Sequence, residues 1–370
     1  MNLKFRFAII SDLHIALPQT IWDHPTRFHL VEVSISALEA VLEHLTQIDL
    51  DFLLIPGDLT QHGEPENHTW LQQRLSQLPF PTYVIPGNHD IPVLKANEQS
   101  IGFTDFPSYY TKFGYQDPTQ LYYHCQLLPG VRLISLNSNS FDDQGNQIGR
   151  LDGQQLKWLK DELSAMSSDS GELVLVMIHH NIVEHLPNQS SHPMANRYML
   201  ENAGEMLDIL QQYGVKLVFT GHLHVQDVAC AQGIYDITTG SLVSYPHPYR
   251  ILEFERDNNG RESLNIVSHR VESVPDFPNL QKFSRQWMGD RSFPFVIKLL
   301  TLPPLSLPLG EAEILAPNLR DFWATIADGD GILDYPHFPN RVRHYIQEYG
   351  AVSNGSDIQL MDNNCLLTWL

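Results

Sequence analysis

Six short, nearly unbroken apolar runs constrain this chain more than any other feature: Phe5–Ile10, Phe52–Ile55, Tyr83–Ile85, Val131–Leu136, Leu173–Ile178 and Val215–Phe219. A strand buried on one face alternates apolar with polar residues, so continuous apolarity indicates strands covered on both faces. Between them lie helical spacings: Ile35, Leu38, Leu42, Leu45 and Ile48; then Leu156, Leu159, Leu163 and Met166, opened by Asp152 and Gln155; then Met206, Leu210 and Tyr213. Strand and helix in alternation predict an α/β architecture layered around a largely buried sheet.

Five of these runs end alike. "IISDLH" leaves Asp12 and His14 past the first strand, "LLIPGDLT" leaves Asp58, and "VIPGNHD" leaves Asn88, His89 and Asp90. "LVMIHHN" and "LVFTGHLH" leave His179 and His180, then His222 and His224. A turn needs one Asn or Asp, not such a series. Ends of parallel strands gather on one edge of a sheet, so these segments deliver seven potential ligands to one rim: Asp12, His14, Asp58, Asn88, His179, His222 and His224. Imidazole with carboxylate and amide oxygens suits Mn, Fe, Zn, Co or Ni. Two such ions about 3.5–4 Å apart can clamp the oxygens of a phosphoryl group, with Asp58 as the bridging carboxylate. Gly57, Gly87 and Gly221 are expected to let the chain turn sharply and aim the next side chain inward.

Composition narrows the partners. With 23 basic and 43 acidic residues the formal charge is −20, which disfavours a nucleic-acid partner and requires a local positive centre for an anionic substrate. Cys125, Cys230 and Cys365 are scattered and form no disulfide framework. The opening apolar run is too short for a signal peptide. No stretch approaches the ~18 apolar residues of a membrane span. A cytoplasmic location is expected.

After His224 the texture changes to strand-like runs at Val228–Cys230, Gly233–Thr238, Arg250–Glu255 and Leu264–Val267, expected as a second, meandering sheet. Beyond residue 272 it changes again, to "FPFVIKLLTLPPLSLPLG" and the helical pieces "NLRDFWATIA" and "RVRHYIQEY". The expected division is a domain at 1–272 and a mainly helical extension at 273–370, serving as a cap, a dimer arm or a packed appendage. A homo-oligomer is compatible with this.

Asp12-x-His14, Gly57-Asp58, Gly87-Asn88-His89-Asp90, His179 and Gly221-His222-x-His224, in this order, resemble the calcineurin-like metallophosphoesterase superfamily. The resemblance covers roughly residues 5–270 and implies a four-layer αββα sandwich of two mixed sheets flanked by helices. It implies two metal ions, one held by Asp12, His14, Asp58 and His224, the other by Asp58, Asn88, His179 and His222. It makes His89 a catalytic residue that holds phosphoryl oxygens and can protonate the leaving group, with Asp90 orienting its ring and Asn88 helping to offset phosphoryl charge. "GDLTQHGEPENHTWL" and "GSLVSYPHPYR" further resemble the class III cyclic-nucleotide and glycerophosphodiester phosphodiesterase branch. The activity implied is hydrolysis of small phosphodiesters by metal-bound hydroxide. A phosphomonoesterase or protein phosphatase, or a binding scaffold of the same fold, are the competing readings.

Other polar residues carry less. His180 reads as structural support, and His62 and Glu64 as equally compatible with pocket lining or packing. His24, His29, His44, His68 and His192 read as surface or core residues. Tyr245, His247 and Tyr249 fit substrate contact or aromatic packing. "ADGDG" at 327–331 lacks the closing Glu of a calcium loop and reads as a solvated turn. The apolar stretch 293–309 is expected to be buried in a core or interface.

Overall fold

The computed structural model describes residues 2–24, 27–166, 171–351 and 361–369. Its strands in chain order are β1 (Leu3–Ile9), β2 (Phe52–Ile55), β3 (Thr82–Val84), β4 (Tyr123–Leu128), β5 (Val131–Ser135), β6 (Asn139–Phe141) and β7 (Gln147–Gly149). They continue with β8 (Leu173–Met177), β9 (Leu217–Thr220), β10 (Asp227–Ala231), β11 (Ile234–Thr238), β12 (Pro248–Arg256), β13 (Glu262–Arg270) and β14 (Asn364–Trp369). One six-stranded sheet runs β14-β13-β12-β1-β2-β3, a second runs β10-β11-β9-β8-β5-β4, and β6 and β7 form a small ribbon. Both large sheets are mixed. β1, β2 and β3 are parallel, as are β5, β8, β9 and β11, while β12, β13 and β14 are antiparallel, as are the outer pairs β4–β5 and β10–β11.

The two-sided burial read from the sequence has a direct cause. Along β8, Leu173, Leu175 and Met177 enter the cluster between the sheets, whereas Val174 and Val176 face the cluster made with helices Gly153–Ala165 and Ala203–Gln212. β9 divides likewise, with Leu217 and Phe219 inward and Val218 toward the helices. A strand side-chain period of two, covered on both faces, requires apolar residues at every position. Between the sheets the rings of Phe5 and Phe254 stack at 5.1 Å, and Phe7 meets Phe219 edge-on at 5.5 Å. The helix at Gly153 begins where Asp152 and Gln155 predict it, because the Asp152 carboxylate accepts the Gln155 N–H at 2.7 Å.

The late strands correct the expectation of a separate meandering sheet. β10 and β11 extend the second sheet, while β12 and β13 extend the first beside β1. Apolarity marks a strand but not its neighbour, and the long antiparallel ladder from Leu3↔Arg256 to Ile9↔Arg250 decides the partner here.

Residues of the extension, among them Leu299 and Leu300 of helix Phe293–Thr301 and Phe322 of helix Phe322–Ala327, form a buried cluster together with Leu186, Leu223 and Val225. Of the apolar stretch at 293–309, Val296, Leu299, Leu300 and Leu305 are buried in this cluster, whereas Phe293 and Leu309 are exposed, so the expected burial holds only in part. β14 leaves this region to close the first sheet's edge against β13. The turn at Asp330 clasps it there, since the Asp330 carboxylate accepts the N–H groups of Asp362 and Asn363. Leu223, between His222 and His224, belongs to the extension's cluster and is 1% exposed. No helix among the described residues is long and apolar enough to cross a membrane.

Candidate metal centre

Each ligand candidate stands on a loop leaving the end of a strand, and these loops are hydrogen-bonded to one another. Beyond β1, the Asp12 N–H donates to Gly57 O and the His14 N–H to Asp58 O. The Asp58 Oδ1 accepts the His89 N–H at 2.8 Å, joining the loops after β2 and β3. The Asp12 carboxylate accepts the His222 N–H at 3.1 Å, joining the two sheets. Asp12, His14, Asp58, His222 and His224 all adopt left-handed backbone, with φ from 42° to 66°. That region is unfavourable for residues with a Cβ, and strain of this kind is concentrated at functional sites.

The glycines act in two ways. Gly57 has φ 99° and takes up the turn itself. Gly87 has no such φ; a Cβ there would fall 2.2 Å from Asp58 Oδ1, so its role is close approach.

The geometry brings together two sets of donors that share one carboxylate: Asp12, His14, Asp58 and His224; and Asp58, His179 and His222. Asn88 joins the second, its Oδ1 lying 3.2 Å from His179 Nε2. In the first, His224 Nε2 is 3.1 Å from Asp12 Oδ1 and 3.4 Å from His14 Nε2. Asp58 Oδ2 lies 3.4 Å from His179 Nε2 and 3.8 Å from His14 Nε2. Two donors each about 2.1 Å from one ion are separated by roughly 3 Å, so these spacings suit cations held between them. Asp58 Oδ2 and His14 Nδ1 are buried without a hydrogen-bond partner among the described residues. Such atoms are costly unless something else satisfies them, and a cation beside Asp58 Oδ2 would do so.

Supporting groups set ring orientation. His179 Nδ1 donates to Pro56 O at 2.8 Å, which leaves Nε2 facing Asp58. His222 Nε2 lies 3.3 Å from Arg197 O, which leaves Nδ1 available to a cation. Burial pushes the His14 imidazole well down, aided by His29 and His89; burial does the same to His222, aided by His180 and His179. Neutral imidazole is the ligating form. Burial alone would raise Asp58, but the adjacent His179, His89 and His14 hold it well below the usual carboxylate range.

Asp90 requires a correction. Its carboxylate does not orient the His89 ring; it accepts the N–H groups of Leu59, Thr60 and Gly87 and the Thr60 hydroxyl, all between 2.8 and 3.0 Å. It fastens the loop of Asn88 and His89 onto the loop of Asp58. The ring is oriented by the Gln61 carbonyl, which accepts from His89 Nδ1 at 2.7 Å. A sequence cannot distinguish these roles, because the partner of His89 is a backbone oxygen that any residue at position 61 would supply.

His29 requires another. Read as a surface or core residue, it lines the same cavity, with its ring centroid 4.1 Å from His14, 4.7 Å from His224 and 5.5 Å from His89. No motif surrounds it, since it sits mid-loop before helix Ser34–Thr46. His180 stays structural at Nδ1, which shares a hydrogen bond with the Ser138 hydroxyl, although its ring reaches the cavity. His62 stacks on His89 at 5.2 Å and lines a neighbouring groove, while Glu64 accepts the His62 N–H and the Asn67 amide. Tyr245, His247 and Tyr249 serve packing: Tyr245 donates to Asp328, His247 to Leu242 O, and Tyr249 pairs with His44. His68 is buried between the Tyr110 and Thr60 hydroxyls, and His192 lies against Tyr345.

A double sheet with carboxylates and imidazoles converging at its strand ends defines a class, the metal-dependent hydrolases of phosphoric esters. A family model for calcineurin-like phosphoesterases matches residues 5–226, and the chain belongs to that family. It is 28% identical over 229 residues to a 3′,5′-cyclic-nucleotide phosphodiesterase of Nostoc sp., spanning 60% of this chain and 74% of that one. It is 30% identical over 277 residues to a probable cyclic nucleotide phosphodiesterase of Synechococcus sp., spanning 72% and 93%. A 3′,5′-cyclic adenosine monophosphate phosphodiesterase of Haemophilus influenzae is 24% identical over 290 residues, spanning 74% and 94%. The protein is a metal-dependent phosphoric ester hydrolase with relatives in the cyclic-nucleotide phosphodiesterase branch.

Proposed function

We propose that the protein hydrolyses small phosphodiesters at a dinuclear metal centre. The observation that carries this is the pair of donor sets sharing Asp58 on one side of a cavity of about 560 Å³, with His89 beside them. Asp12, His14, Asp58 and His224 would hold one divalent cation; Asp58, Asn88, His179 and His222 the other. When bound, the cations supply Lewis acidity, which makes water a nucleophile near neutral pH and offsets phosphoryl charge.

The chain's own contribution is positioning and proton transfer. With Nδ1 committed to Gln61 O, His89 has Nε2 left for the substrate. As imidazolium it donates there to a phosphoryl oxygen or to the departing alkoxide. Asp90 acts one step back, since its four hydrogen bonds hold the loop that carries His89. His29 presents a second imidazole beside His89 on the cavity side, suited to a phosphoryl oxygen.

The test is hydrolysis of bis(p-nitrophenyl) phosphate against p-nitrophenyl phosphate by purified protein, with and without chelator and Mn, alongside metal analysis. Diester preference, chelator inactivation and about two ions per chain are expected. Preference for the monoester would favour a phosphatase, and bound metal without hydrolysis a binding scaffold.

A further inference from the structure

The cavity that holds the ligand set has a second wall of a different character. Two of its lining residues come from the extension: Phe295 on helix Phe293–Thr301 and Trp323 on helix Phe322–Ala327. Their rings lie 5.2 Å apart at 55°. A third, Phe28, comes from the loop before helix Ser34–Thr46, and it packs with Trp323 on the small cluster of Tyr245, Met288 and Ala324. The Trp287 indole N–H donates to Phe28 O at 3.1 Å, fixing that loop to the extension. Phe28, Phe295 and Trp323 are only partly buried, so each keeps ring surface toward the cavity despite the apolar clusters beside it.

One cavity therefore combines a floor of Asp58, Asn88 and imidazoles with an aromatic wall, Arg197 and Tyr198 also lining it, within the size range of sites for nucleotide-sized ligands. A polyol gains little from such a wall. A planar heterocycle gains stacking on Phe or Trp rings, whichever base it carries. We infer that Phe28, Phe295 and Trp323 form a stacking wall that makes the extension a specificity element, selecting phosphodiesters with a planar aromatic group, such as a nucleobase, over those of aliphatic alcohols. This rests on the reading of the floor as a phosphodiester site.

The experiment compares kcat/KM for 3′,5′-cyclic AMP and for glycerophosphoglycerol, an uncharged-alcohol diester without an aromatic or ammonium group, in the Mn-supplemented wild type, Phe295→Ala, Trp323→Ala and Trp323→Phe. Binding of AMP and of glycerol 3-phosphate is measured by calorimetry on the same samples. In both alanine variants the adenosine-to-glycerol ratio of kcat/KM should fall about tenfold or more. AMP affinity should fall more than glycerol 3-phosphate affinity, and Trp323→Phe should recover most of the ratio. An equal fall on both substrates, or an unmoved ratio, overturns the inference and leaves the phosphodiesterase reading standing. A wild type that cleaves neither substrate nor bis(p-nitrophenyl) phosphate overturns both.

Discussion

The rim of strand-end loops and the C-terminal extension face the same cavity but are built on opposite principles. At the rim, backbone is held in unfavourable left-handed conformations at Asp12, His14, Asp58, His222 and His224, and fixed by cross-loop hydrogen bonds such as His89 N–H to Asp58. Conformations of that kind cost about 1–3 kcal/mol each and persist only where the surroundings over-determine them. The extension's helices are short and lack side-chain caps; their stability comes from burying Leu299, Leu300 and Phe322. The rim thus tolerates few residue types at each position, whereas the extension's buried cluster needs only apolar side chains of suitable volume. Leu223 joins them, with a ligand candidate on either side and its own side chain in the extension's core.

The largest expected effect tests the rim. Asp58→Ala removes the carboxylate common to both donor sets, so metal content should fall to background and turnover by more than about a thousandfold. Plasma emission and nitrophenolate release measure this, and two ions retained would contradict the shared-ligand assignment. His89→Ala should separate binding from chemistry, keeping the metal while kcat drops about 10²- to 10⁴-fold; wild-type turnover would remove His89 from the mechanism.

Leu223→Ala tests the link between the regions. As a buried leucine it should cost about 2–5 kcal/mol in denaturant melts. It should also weaken metal retention against a chelator, because His222 and His224 lose their shared anchor. Leu42→Ala, equally buried behind the first sheet, should match the stability loss and leave metal retention intact. Equal retention in the two variants would show that the extension does not steady the centre.

A pH-dependent effect lies between the regions, at His185. Its ring is buried between Asp227 at 2.7 Å and Asp236 at 3.4 Å. Burial alone would lower its pKa, but Asp236 and Asp227 raise it to about 10. The folded chain therefore keeps a proton that the unfolded chain sheds near its ordinary value of about 6.5. The stabilisation is fully present below about 6.5 and is lost as pH rises toward 10, with a slope of at most about 1.4 kcal/mol per pH unit. His185→Gln should flatten that decline in urea melts between pH 6.5 and 10, and an unchanged slope would assign the ion pair no such role.

The ligand candidates were legible in the sequence because chemistry leaves few substitutes for Asp, Asn or His at a metal, and strand ends place them at regular points. His29 was not legible: it reaches the cavity through a mid-loop path that no periodicity records. Asp90 was assigned the wrong partner, since its hydrogen bonds go to backbone N–H groups of Leu59, Thr60 and Gly87. β14 was missed because its six residues follow a helical stretch and pair with β13, about a hundred positions upstream.

What the residues determined by themselves was the alternation of buried strands with helices and the identity of the groups waiting at the strand ends. Both are local consequences of side-chain period and ligand chemistry. Only the tertiary structure decided which sheet each late strand joined, that Gln61 rather than Asp90 orients His89, and that Phe295 and Trp323 reach the same cavity as Asp58. Those outcomes depend on long-range pairing and packing, in which many apolar sequences are equivalent until the chain has closed around them.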